Sequence, residues 1–151
     1  MRRRIARGAV CVAFALSAAC ESAASAPRFD APQKLGGAEV SADVLNNGAM
    51  LYGRYCASCH GVEGDGKGPA ASDLSQPPRD FQQANYRYAS PDPERLPTQA
   101  ELMNIIQRGV PAKGMPPWKG LREEDLSALA FYIKTFSPRW RDGASAAAKQ
   151  P

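Results

Sequence analysis

The sequence predicts a small all-α domain, and three observations carry that expectation. Thr98 and Glu101 stand three apart at the head of an apolar-periodic run, the pattern of a capping box. Arg108 and Gly109 close that run. Leu126, Leu129, Ala130, Ile133 and Phe136 recur at helical spacing behind Glu123, Glu124 and Asp125, whose charge suits a helix N-terminus. Arg122 stands where a Ser or Thr cap is usual, which leaves that boundary open by a residue or two. The third observation concerns the 13 Gly and 13 Pro, which point to long loops between few helices. A composition of 44% hydrophobic and 23% charged residues is that of a soluble globular chain. No stretch approaches the roughly 18 unbroken apolar residues of a membrane span, which excludes a multi-span protein.

The first 20 residues read as an export signal. Arg2, Arg3, Arg4 and Arg7 form a basic start, and the uncharged run Ala9 to Ala19 follows. That run falls within the about 7–15 residues of a secretory core segment. Leu16-Ser17-Ala18-Ala19-Cys20 resembles a lipoprotein signal with Leu one place too early. The alternative is cleavage after Ala24 or Ala26. A lipidated Cys20 would hold the protein on a membrane, each buried methylene contributing about 0.8 kcal/mol. The net charge of +4 belongs to the signal, because residues 1–20 contain four Arg and no acid. The remaining chain is neutral, so no nucleic-acid partner is expected. Residues 21–41, rich in Ala, Ser, Pro and Gly, read as a flexible tether, and 142–151 as a frayed tail. The domain therefore runs from 42 to 141.

Within it the only cysteines stand in Cys56-Ala57-Ser58-Cys59-His60. Two cysteines three apart with His next is the attachment motif for a c-type haem. The thiols lie one helical turn apart and each can bond a vinyl group, while the imidazole turns under the iron. A thioredoxin-like pair would want a strand before it and no His after it. A structural zinc would lack a fourth ligand. Export removes most cytosolic false positives, since thiols outside the cytosol are oxidised or occupied.

A second axial ligand has to come from elsewhere. Met50 precedes the motif on the same predicted helix and cannot reach the far face of the ring. Met103 lies in the amphipathic run Glu101–Ile106 and reads as core filler. Met115 stands in Lys113-Gly114-Met115-Pro116-Pro117-Trp118, neither helical nor strand-like. Glycine permits close backbone approach and the prolines stiffen the loop, which suits a ligand better than a packing residue.

On these motifs the chain resembles a small bacterial class I cytochrome c over about residues 44–137. Gly48, Tyr52 and Cys56, spaced by four, match the family's N-terminal helix, and Leu129 and Tyr132 the C-terminal helix that packs on it. The resemblance implies three to five helices wrapped around one covalently bound haem c, with long Pro-rich loops. Gly66, Gly68 and Pro69 match the loop after the motif, and the match implies that the Pro69 carbonyl accepts the second imidazole proton of His60. The Pro-rich stretch from Leu74 to Pro97 would wrap the haem edge. Trp118 first, then Arg79, Tyr86, Arg87 and Tyr88, are candidate donors to the propionates.

His60 and Met115 as paired axial ligands leave no position for oxygen, peroxide or nitrite. The expectation is an electron-transfer protein rather than an enzyme, a monomeric periplasmic carrier without or with a lipid anchor. Its donor would be a quinol-oxidising complex or a dehydrogenase, and its acceptor a terminal oxidase or reductase. The alternatives are a fixed subunit of a membrane complex and a haem enzyme or sensor with a labile Met115. Lys113 and Lys119 flank the Met loop and would form a positive patch within a Debye length, about 8 Å, of an acidic partner.

Overall fold

A computed structural model describes residues 29–89 and 95–141. The export signal, the adjoining residues 21–28 and the tail 142–151 lie outside the described residues.

A short antiparallel hairpin, β1 (Gln33–Leu35) and β2 (Ala38–Val40), leads into α1 (Ala42–Tyr55). The single turn of α2 (Ala57–His60) follows, then α3 (Gln99–Arg108) and α4 (Glu123–Lys134). The class is all-α, as the sequence predicts, with four helices and one small sheet among the described residues.

The caps explain where the helices begin. Ser41 accepts from the Val44 N–H at the start of α1. At α3 the capping box is complete, with Glu101 N–H on Thr98 Oγ1 at 3.2 Å and Thr98 N–H on Glu101 Oε2 at 2.7 Å. Arg122 does occupy the N-cap of α4, without a side-chain cap bond. Its guanidinium instead pairs with Asp125 at 2.9 Å and Glu124 at 2.6 Å. The helix ends at Lys134, two residues before Phe136.

The core is the crossing of α1 and α4. A Cβ at Gly48 would collide with the Ala128 carbonyl and stand 2.7 Å from Tyr132 Cβ. Only glycine therefore lets the two helices approach this closely. Tyr52 and Tyr132 flank the contact with ring centroids 5.3 Å apart, and Leu45 and Leu129 are fully buried beside it. The Tyr52 hydroxyl donates to the Gly61 carbonyl at 2.7 Å, so its polar tip is satisfied inside the core.

The tether expected over 21–41 needs correction for 29–41. Gly36 and Gly37 both adopt positive φ, 60° and 85°, and close the hairpin as a two-residue Gly-Gly turn does. Leu35 and Val40 are buried. The Asn46 side chain clamps Phe29 in both directions, accepting from its N–H at 2.9 Å and donating to its carbonyl at 2.8 Å. The Phe29 ring meets Tyr132 edge-on at 6.1 Å. The far end of the domain returns here, with Gly36 N–H on the Trp140 carbonyl at 2.8 Å. Lys134 Nζ lies over the Trp140 and Phe131 rings at 5.0 and 4.8 Å. Too few apolar residues mark this stretch for composition to reveal it, but Phe29, Leu35, Ala38 and Val40 all pack on the core.

Candidate haem cleft

α1 ends as Cys56 begins the motif, and the backbone continues in one further helical turn. Cys59 and His60 N–H both bond the Cys56 carbonyl, at 3.1 and 2.9 Å. That turn sets both sulfurs and the imidazole along one wall of a cleft. An outer part of about 470 Å³ is lined by Cys56, Cys59, His60, Arg79, Met115 and Trp118, among others. An inner recess of about 80 Å³ adds Phe81, Tyr86, Leu102, Ile105, Ile106 and Ile133. The two parts share His60, Arg79, Tyr88, Val110 and Met115, so they are one continuous site of the size that holds a cofactor.

Burial holds His60 below its ordinary pKa, against the opposing pull of its hydrogen bond to Arg79. The neutral imidazole is the form that binds a metal. The partner of Nδ1 is the Arg79 carbonyl, at 3.1 Å. Because a carbonyl can only accept, Nδ1 carries the proton and Nε2 is left to ligate. This corrects the expectation for Pro69, which is exposed on a turn and lines no part of the cleft. The 78–79 segment approaches the loop after His60 closely enough that a Cβ added at Gly66 would stand 2.7 Å from the Pro78 carbonyl, and this brings Arg79 within reach.

Met115 reaches the cleft from the other side of the sequence. Its backbone is pinned to Val110, with Val110 N–H on the Met115 carbonyl at 2.9 Å and Met115 N–H on the Val110 carbonyl at 3.3 Å. Gly114 takes the left-handed φ of 86° that this tight return needs. Trp118 N–H is shared between the Ile106 and Gln107 carbonyls at 3.3 and 3.1 Å, which ties the loop to the end of α3. Met50 is 58% exposed on α1, and Met103 packs partly buried outside the cleft.

The candidate propionate donors separate. Trp118 lines the outer cleft against Tyr55, centroids 4.9 Å apart. Arg79 lies over the Tyr88 ring at 5.8 Å, and Arg87 borders the same opening. Tyr86 is 7% exposed in the inner recess, and burial raises its hydroxyl above the usual phenol value. It lies edge-on to Trp140 at 6.0 Å, near enough for the polar tips to interact weakly. Neither tip makes a well-formed hydrogen bond. A buried hydroxyl left so is what a bound carboxylate would satisfy, and the residues present therefore fit a haem. Lys113 lines the cleft, whereas Lys119 is exposed beyond it.

The same burial disfavours thiol–disulfide chemistry. Burial, reinforced by Cys59, pushes the Cys56 thiol up to about 12, the reverse of what a thiol–disulfide nucleophile needs. Among the described residues no cluster of three His, Cys, Asp or Glu could hold a metal ion by itself. Phe81, which stacks on His60, had no periodic signal to reveal it.

Residues 43–133 match the family described as Cytochrome C oxidase, cbb3-type, subunit III. Among solved structures, the chain is similar to one from the reducing HAO-like protein complex of Kuenenia stuttgartiensis, with 32% identity and a TM-score of 0.58. The match covers 70% of this chain and 45% of that one, so this chain spans less than half the length of that relative.

Proposed function

This chain belongs to the family described as Cytochrome C oxidase, cbb3-type, subunit III, a c-type cytochrome domain, and from that premise we propose a periplasmic one-electron carrier with a single haem c. Bound haem c supplies an iron that changes oxidation state by one electron. The observation that carries the reading is that His60 and Met115, 55 residues apart in sequence, line the same cleft as Cys56 and Cys59.

Each residue then has a task. Cys56 and Cys59 form the covalent links, and His60, oriented by the Arg79 carbonyl, presents Nε2. Met115 offers its thioether from a loop fixed at both Val110 and the end of α3. His60 from the end of α2 and Met115 from its loop would then both hold the haem iron and leave no position there for a substrate. The apolar recess of Leu102, Ile105, Ile106 and Ile133 keeps water away. Tyr86, Trp118, Arg79, Arg87 and Tyr88 line the cleft and would donate to the propionates.

The basic, then apolar, start of the chain supports export. Mass spectrometry of the mature N-terminus reads whether it begins at an acylated Cys20 or beyond Ala24. A second reading, a fixed subunit of a redox complex, is favoured by the nature of both matches, one an oxidase subunit and one a member of a complex. Co-purification with other chains at constant ratio supports the subunit, and recovery as a free monomer supports the shuttle.

Optical spectra test the ligand set. Ferric wild type is expected to show the weak far-red sulfur-to-iron band, and Met115→Ala to lose it. A wild type without the band would remove Met115 from the site.

A further inference from the structure

We infer that Phe81 is a positioning residue for the His60 imidazole, fixing the plane of that ring together with the Arg79 carbonyl. The inference rests on the reading of His60 as an axial ligand. A hydrogen bond at Nδ1 anchors one atom of the ring and leaves it able to rock about that line. The Phe81 ring removes this freedom, lying 4.4 Å from the imidazole centroid and only 18° from parallel. One face of the imidazole is thereby closed by a flat, rigid neighbour.

Phe81 is itself held from several directions. Tyr86 and Phe136 lie nearly parallel to it at 6.0 and 6.2 Å, with interplanar angles of 15° and 20°. Tyr52 meets it at a steeper 66°, 6.3 Å away. Its N–H donates to the Gly64 carbonyl at 2.7 Å. Asp80 accepts from the Gln82 N–H at 2.9 Å, and the Gln82 side chain donates to the Glu63 carbonyl at 2.9 Å. The segment is thus stitched to the loop that follows His60. Arg79 and Phe81 are two residues apart on it, so the two restraints on the imidazole move together or not at all.

A residue that merely fills space would affect stability and leave the ligand plane alone. The plane is read in the haem-loaded ferric protein from the electron paramagnetic resonance g-values and from the pattern of haem methyl proton shifts. Phe81→Leu is expected to broaden the g-signal and change the methyl pattern while keeping the far-red band. Phe81→Tyr, which keeps the flat face, is expected to restore the wild-type pattern. Wild-type g-values and methyl shifts in Phe81→Leu would overturn the inference, whatever its stability. Should Phe81→Leu fail to fold, Phe136→Leu removes the ring behind Phe81 without touching His60. A smaller shift of the same kind supports the inference, and an unchanged pattern overturns it. The far-red band reads the Met115 assignment separately. Its absence from wild type, with the methyl pattern still sensitive to Phe81, removes the axial pairing and keeps the role of Phe81.

Discussion

At the crossing of α1 and α4, Gly48 admits the Ala128 backbone, and Tyr52 spends its hydroxyl on the Gly61 carbonyl. Along the cleft, by contrast, Tyr86 keeps a buried hydroxyl without a well-formed partner, and irregular backbone holds Phe81, Arg79 and Met115. The first region is complete with the chain alone. The second leaves a buried polar tip that a bound carboxylate would satisfy. Helix packing alone completes the first region, whereas the cleft combines the α2 turn, the inner faces of α3 and α4, and the loops that carry Arg79, Phe81 and Met115.

Gly48→Val should break the comparison most severely, because a branched side chain has no room against Ala128 and Tyr132. Overpacking of this kind costs about 3 kcal/mol, read as a lower denaturant midpoint, with the far-red band retained in the molecules that fold. Asn46→Ala removes both bonds to Phe29 and should cost about 1–2 kcal/mol. If the hairpin belongs to the core, as the structure has it, the site spectra stay unchanged. An unaltered stability would return residues 29–41 to the status of a tether.

Glu101→Gln has the smallest expected effect, about 1 kcal/mol at neutral pH from the weakened cap. The Arg95 guanidinium, bonded at 2.8 and 2.5 Å, is the main cause that holds the Glu101 carboxyl down at about 2. Its ordinary value is 4.5. A carboxyl lowered on folding stabilises above its unfolded value and loses that contribution as pH falls towards the folded one. The stability gap between wild type and Glu101→Gln should therefore be widest above pH 4.5 and close towards pH 2. Unfolding midpoints of the two proteins across that range check it.

The helical half was legible in the sequence for a physical reason. Capping and 3.6-residue periodicity are local, so Thr98, Glu101 and the apolar positions of α4 announced themselves. That Cys56, Cys59, His60 and Met115 share one cleft was legible because the motif's spacing and the Gly-Pro setting of Met115 are local signals. The partner of His60 was not, since a backbone carbonyl carries no residue-type signal, and Arg79 in place of Pro69 depends on how two loops meet. Phe81 was hidden for the same reason, a single aromatic within a stretch without periodicity. The hairpin at Gly36-Gly37 did have a signal in its turn pair, outweighed by its polar composition.

In the proposed function, His60 on α2 and Met115 on its loop would both hold the haem iron and leave no position for a small ligand. Carbon monoxide addition to the reduced, haem-loaded protein tests it most directly. Wild type should keep its spectrum unchanged, while Met115→Ala should bind the gas and shift its main absorption band. Ready binding by wild type would contradict the claim and point instead to an open site for a small ligand.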